Sequence, residues 1–454
     1  MNTSSTPTNG VLVKLSGLLI NRQFALIWSG QAISVIGDIL FDTTLVLWVA
    51  TVIARGQPWA PLAVSGILLT AAIPRFIIGP VAGVFTDRWD KRGTMLAMDA
   101  IRAVLIVLLV LLNAILPPPV RGVDLTSAFL RLGIIYAIVF LTSSCTQFFT
   151  PSLLALINDI VEGPSLVRAS GLIQIVASLA IIIGPALAGL LFSTVGVQWA
   201  FLLNAFSFMA SFSAILAVRA PRPVRDSTAE QHRKVLHEFL EGMRFYVGNR
   251  LLVTILISGV LVMLGSGAIN ALNVFFVIQN LHASASLYGL LSAVLGLGAI
   301  VGAAASGLMV QRLGMERAFW LSIMLSGVVT LLYARLTSFS LASGVIVLLG
   351  GLMSIVNVVV APLVLGVTPN EFIGRVSSVI TPAFSLASIL SLSVAGYLAS
   401  TLLYRFRATW FGVTFGPIDT IFLGTGVLML IGGLYAMMNL KNVELAKEKV
   451  RKEG

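Results

Sequence analysis

Apolar runs long enough to cross a lipid bilayer follow one another along almost the whole chain, separated by short polar or charged breaks. They cover residues 24–54, 62–85, 94–116, 128–150, 168–194 and 199–219. After a longer polar break come 251–280, 288–310, 318–336, 341–366, 375–403 and 417–439. A hydrocarbon core of about 30 Å takes roughly 20 residues of helix, so each run predicts a membrane-spanning helix. The short polar–apolar alternation of a membrane β-barrel is missing from this pattern. The expected fold class is an all-α membrane protein whose twelve transmembrane helices form two pseudo-symmetric six-helix bundles.

Between the halves, 220–250 is the longest polar stretch. Val235, Leu236, Phe239, Leu240, Met243 and Phe245 recur there at helical spacing, which predicts an amphipathic helix on the membrane surface. Composition agrees with a lipid solvent: of 454 residues 10% are charged and 57% hydrophobic, against about a quarter charged in soluble domains. The net charge of +11 does not point to nucleic acid. The cations are scattered between apolar runs rather than gathered on one face with aromatics. With the N-terminus inside, about 21 of the 29 Lys and Arg residues fall on the cytoplasmic side and roughly 6 opposite. The expected organisation is a cytoplasmic tail 1–23, a bundle 24–219, the cytoplasmic linker 220–250, a bundle 251–439 and a cytoplasmic tail 440–454. The expected location is the cell membrane, multi-pass, as a monomer in contact with membrane lipids.

Conventional catalytic and metal signatures do not occur. The single Cys145 lies inside an apolar run, and His232, His237 and His282 fall in loops without zinc-ligand spacing. HExxH, Walker A and GxSxG have no supporting context, and the N-terminus lacks the pattern of a removable signal peptide. No enzyme activity, cofactor or metal is expected.

The two halves resemble each other. Gly83 and Arg88, after the second span, match Gly307 and Arg312, after the eighth, at one constant offset. Arg168 and Gly189 match Arg375 and Gly396 in the same way. Duplicated halves with a site near the membrane midplane are the architecture of many secondary transporters.

Charges inside the spans narrow the search, because each costs several kcal/mol unless paired or hydrated. Asp38 and Asp42 lie four residues apart, on one face of the first helix. Asp38 is about 21 Å into the membrane and Arg75 of the second span about 17 Å, so depth lets them meet. Two readings follow. Arg75 holds Asp38 ionised until another conformation separates them and Asp38 takes up a proton, or the two form a permanent bridge with Asp42 wetted near the outer surface. Asp99 and Arg102, in the third span, form an i,i+3 pair nearer the cytoplasm, with a structural or gating role. All five groups lie in the first half.

The loop Gly83-x-x-x-Asp87-Arg88-x-x-Lys91-Arg92 resembles motif A of the major facilitator superfamily. DRWDKR, MLAMDAIRA and FFTPSLLALINDIVEGPSLVRASGLIQ further resemble its macrolide-efflux-like drug:proton antiporter branch. The resemblance implies that Asp87 meets the start of the eleventh helix near Gly374–Arg375 and, with Gly83, Arg88, Lys91, Arg92, Asp99 and Arg102, gates transport. Gln311 stands where the second copy would need its acid. Gly184-Pro185-Ala-Leu-Ala-Gly189 looks like motif C, which the family associates with exporters, although Ala180 and Ala188 replace usual glycines. The family lines its cavity with spans one, four, seven and ten. That nominates Gln31, Gln147, Asn270, Asn273 and Asn357, with Phe148, Phe275 and Phe276 as apolar lining. Asn270 and Asn273 share a face by spacing.

The expectation is a secondary transporter that exports amphipathic or hydrophobic small molecules, macrolides among them, against proton entry. The partners are a small-molecule substrate and protons. The alternatives are a dedicated siderophore or lysolipid exporter, or a non-transporting membrane receptor or scaffold.

Overall fold

The structure is a computed structural model that describes residues 20–86, 88–116, 125–163, 165–219, 243–244, 246–369, 372–410 and 413–453. The expected linker helix falls almost wholly outside the described residues, as do Asp87 and most of the N-terminal tail. Among the described residues, twelve helices are long and apolar enough to cross a membrane.

In the first half these are α1 (Arg22–Trp48), prolonged by a π-type turn at Val49–Ile53, and α2 (Ala60–Ile77), continued by the short α3 (Gly79–Thr86). There follow α4 (Lys91–Ile115), α5 (Leu125–Ile160), α6 (Ser165–Thr194) and α7 (Val197–Leu216). The second half contributes α8 (Arg250–Gln279), α9 (Leu287–Leu313), α10 (Met315–Ala334), α11 (Phe339–Leu365) and α12 (Ile373–Tyr397) with a π-type turn at Leu398–Leu402. A hairpin of β1 (Ala408–Trp410) and antiparallel β2 (Val413–Phe415) precedes α13 (Pro417–Glu453).

Three departures from the expected spans have local causes. Pro74 and Pro80 each remove a backbone donor, and the second span breaks at Ile78. Pro151 does not end α5, which runs ten residues past the expected 150. Thr150 and Ser152 donate to the carbonyls of Thr146 and Phe148 there, and a buried membrane helix tolerates one missing donor. The hairpin was not anticipated. It hangs on Arg335, whose Nη1 donates to Asp419 Oδ2 at 2.7 Å and Nη2 to the Thr414 carbonyl at 3.2 Å. Arg335 also lies over the Phe415 ring.

The chain divides into two compact units, Met1–Thr44 with Pro74–Arg225 and Leu45–Ile73 with Asp226–Gly454. In the second unit the start of α2 packs on the end of α12, where Leu62 N donates to Ser400 Oγ at 2.9 Å. The same unit holds its tightest helix crossing between α9 and α11. A Cβ on Gly302 would stand 2.1 Å from the Gly351 carbonyl, so this Gly298-x-x-x-Gly302 face lets backbone touch backbone. In lipid such close packing replaces the hydrophobic drive for helix association. In the first unit α4 packs on α5 and α7. Its Ile101, Val104, Val107, Leu108 and Leu111 are exposed, while Met95, Asp99, Arg102, Ile106 and Leu109 are buried. The polar stripe faces protein and the apolar stripe faces outward, the inverse of a soluble helix.

Candidate functional site

The first unit contains a polar seam between α1 and α7. Along α7, Asn204, Ser207 and Ser211 are buried at i, i+3 and i+7, on one face of a largely apolar helix. On α1 they meet Gln31 and Gly37; a Cβ on Gly37 would lie 2.3 Å from Ser207 Oγ. Gln31 Nε2 donates to Ser211 Oγ at 3.0 Å. On the other side of α1, Gly184 of α6 lies so close that a Cβ would stand 2.8 Å from Ile39 Cβ. Gly184 and Pro185 are buried with Gly189, so the close approach expected of the motif C-like segment is present, next to Asp38.

The seam ends at a charge cluster. Arg102 is 3% exposed and lies over two rings, its Cζ 4.6 Å from the Phe149 centroid and 4.3 Å from that of Phe208. Its Nη2 donates to Asp99 Oδ1, and its Nη1 is 3.8 Å from Asp38 Oδ2. Asp99 is fully buried and its Oδ2 has no hydrogen-bond partner among the described residues, although the Ser211 hydroxyl is close by. Asp38 has 38% of its side chain accessible, and Asp42, one turn further on, is exposed. One guanidinium thus serves a buried carboxylate that it never shares with water and an accessible one that it touches loosely. Cation–ring stacking of this kind is worth about 2 kcal/mol when desolvated, which fixes the guanidinium plane.

This geometry corrects two expectations. The cation beside Asp38 is Arg102, not Arg75. Arg75 is exposed in the last turn of α2, just before the break at Ile78, and forms no ion pair among the described residues. Asp99 and Arg102, expected as an i,i+3 pair nearer the cytoplasm with a structural or gating role, do pair with each other, and Arg102 also reaches Asp38. Phe149, Phe208 and the α7 polar stripe were not anticipated, although the i, i+3, i+7 spacing of Asn204, Ser207 and Ser211 was there to be read.

The loop around Arg88 builds a different structure. Asp90 caps α4 by accepting from Gly93 N at 2.7 Å. Arg92 donates to the carbonyls of Ile215 and Leu216 and so satisfies the end of α7, as cations at helix C-termini do. Lys91 pairs with Asp159 of α5 at 2.7 Å, and Trp89 stacks on Phe148 at 5.9 Å. Arg88 is exposed, and Gly83 has open space where a Cβ would go, so no neighbouring helix packs closely on it among the described residues.

The cavity candidates of the second half separate. Asn270 and Asn357 are exposed, but Asn273 is buried and accepts from the Tyr333 hydroxyl at 2.7 Å, so the expected shared face of Asn270 and Asn273 is split. Phe275 and Phe276 are buried rather than lining; Phe276 packs in a cluster with Tyr333 and Phe422. Gln147 donates within its own helix, to the Ser143 carbonyl. Among the described residues no group of three or more His, Cys, Asp or Glu side chains is arranged to hold a metal ion.

The transmembrane secretion effector family matches residues 16–403. An uncharacterized MFS-type transporter of Bacillus subtilis, YfiS, is 24% identical over 94% of this chain and 95% of its own length. Macrolide efflux protein A of Streptococcus pyogenes is 25% identical over 55% of this chain and 57% of its own. The enterobactin exporter EntS of Citrobacter koseri is 26% identical over 66% and 68%. Among solved structures, a bacterial homologue of the iron transporter ferroportin in its inward-facing state has a TM-score of 0.69 at 15% identity, over 91% of this chain and 98% of that one. The POT family transporter PepTSo has 0.68 at 10% identity, over 93% and 98%. The matches describe membrane transporters, not enzymes or inert scaffolds.

Proposed function

From the premise that the chain belongs to the transmembrane secretion effector family of major facilitator transporters, we propose that it exports amphipathic or hydrophobic small molecules by proton antiport. The supporting observation is the Asp38–Arg102–Asp99 cluster. A carboxylate in a membrane span must be paired, hydrated or protonated. Asp99 is fully buried and accepts from Arg102, whose guanidinium lies beside the Phe149 and Phe208 rings. Asp38 is held at 3.8 Å and is accessible, so it is the carboxylate able to exchange a proton. The charged groups that face it are Arg102 and Asp99 from α4 and Asp42 on its own helix, while Asn204 and Ser207 of α7 lie against the neighbouring Gly37.

The cycle needs two occupancies of one face. With Asp38 ionised, its charge is balanced by Arg102 and the face accepts substrate. Protonation of Asp38 frees Arg102 to serve Asp99 alone and favours substrate release and return. Asp42, exposed on the same face, is the entry point for the proton. Both termini then lie in the cytoplasm, and the protein works as a monomer in the cell membrane. A second reading, a dedicated siderophore exporter, has the support of the enterobactin exporter relatives.

The test is reconstitution into vesicles with an imposed pH gradient and a panel of macrolides, dyes and lipophilic cations. Asp38→Asn is expected to lose gradient-driven transport and keep substrate counterflow. Full gradient drive in Asp38→Asn would overturn the proton assignment.

A further inference from the structure

Beside the polar seam, α1, α5 and α6 wall a side pocket of about 80 Å³ that includes Trp28, Gln31, Val35, Leu153, Ile157 and Ala177. The Trp28 indole N–H is already engaged, donating to the Leu172 carbonyl at 3.0 Å. Gln31 is therefore the one polar group left to a guest. Water needs two to four polar partners, and this wall offers one, so the space suits an apolar group although it has room for water. Sites that enclose a whole drug-sized ligand measure about 300–1,000 Å³. This pocket takes a single substituent, a branched alkyl group or one six-membered ring.

Gln31 also starts a chain of contacts. It donates to Ser211, Ser211 lies against Asp99, Asp99 holds Arg102, and Arg102 reaches Asp38. We propose that this pocket anchors an apolar substituent of the substrate carrying an adjacent hydroxyl or carbonyl, and that Gln31 reports its occupancy to the charge cluster. The inference rests on the transport reading above and gives it a substrate class. A guest that takes the Gln31 amide N–H detaches it from Ser211. The freed Ser211 hydroxyl turns to Asp99 Oδ2, which has no hydrogen-bond partner among the described residues; Arg102 then moves from Asp99 toward Asp38, and the Asp38 carboxyl releases its proton to bulk water. Loading of substrate and discharge of the proton are thereby linked within one unit.

Benzyl alcohol is a suitable probe, since it has one ring and an adjacent hydroxyl. Its binding to the purified full chain is read by saturation-transfer NMR, and proton release by a pH dye in weak buffer. Ala177→Leu and the milder Ala177→Val fill the pocket, and one methylene in such a site changes affinity about tenfold or more. Both are expected to weaken benzyl alcohol by at least ~10-fold against the wild type in the same detergent. Gln31→Leu is expected to bind it and release no proton. Wild-type affinity in both Ala177 variants, or undiminished proton release in Gln31→Leu, would overturn the proposal. The binding readout does not depend on transport. A wild type that moves no substrate but binds benzyl alcohol in an Ala177-sensitive way sinks the transport reading and leaves the pocket standing. A transporting protein with no Ala177-sensitive binding does the reverse.

Discussion

Replacing Arg102 by methionine separates the structural half of the charge cluster from its functional half. Methionine keeps the length and the contact with Phe149 and Phe208 but removes the guanidinium. Asp99, fully buried, is then left with no cation. Removing one partner of a buried pair costs about 3–5 kcal/mol, mostly from the charge left behind. The ring stacking lost with the cation adds to this. Replacing both members with apolar groups is often neutral or favourable, so Arg102→Met with Asp99→Leu is expected to recover most of the stability and none of the transport. Asp38→Asn breaks only a 3.8 Å contact to a side chain 38% accessible, where screening leaves about 1 kcal/mol or less.

The protein supplies its own reporter. Cys145 is its single cysteine and is buried, so a thiol-reactive fluorophore labels it only as the helices open. Arg102→Met is expected to lower the labelling midpoint by roughly 10 °C, the double variant to restore it, and Asp38→Asn to leave it in place. A midpoint for Arg102→Met within about 2 °C of the wild type would refute the claim that the guanidinium neutralises a buried carboxylate. So would a double variant no more stable than the single one.

Other perturbations test separate parts. Gly184→Leu forces side-chain atoms into Ile39 of α1; overpacking of about 1–3 kcal/mol and loss of transport are expected, read by the same labelling and by vesicle assay. Tyr246 buries a hydroxyl that has no hydrogen-bond partner among the described residues, and burial raises its phenol above the usual value. Tyr246→Phe is expected to stabilise by about 1 kcal/mol. A raised acid contributes its stability below the unfolded value and loses it as pH rises, so the advantage of Phe grows above about pH 10 in pH-stepped melts. Arg335→Met releases the hairpin before α13 and leaves Asp419, 3% exposed, without its cation; limited proteolysis is expected to cut near 408–415 faster and the midpoint to fall.

The helices were legible because lipid leaves the backbone few choices. A run of twenty apolar residues must hydrogen-bond to itself, and residues 24–54 and 417–439 emerged close to Arg22–Ile53 and Pro417–Leu440. What escaped was set by single residues within that frame. The span expected to end at 150 continues through Pro151 to Ile160 in α5, whereas the span expected unbroken over 62–85 is interrupted at Ile78 between Pro74 and Pro80. The Ala408–Phe415 hairpin has no long periodic pattern, and its anchor Arg335 is 84 residues from Asp419.

The partner of Asp38 shows where reading along a helix stops short. Arg75 lies 11 residues before Thr86 and Arg102 11 residues after Lys91, so both sit about 17 Å deep at 1.5 Å per residue. Depth alone cannot choose between them, and proximity in sequence favoured the wrong one. Rotation about the helix axis decides. On α4 the charges Asp99 and Arg102 are the only polar residues between Thr94 and Asn113, so the one face that avoids lipid is theirs, in step with buried Met95 and Ile106. Arg75 has no such stripe to bury it; Phe76 and Ile77 beside it are exposed, and its own side chain follows them out. An i,i+3 acid–base pair on an apolar helix therefore marks a face turned toward protein, and the carboxylate it meets there belongs to whichever helix carries an unpaired acid at the same depth. In this chain that acid is Asp38.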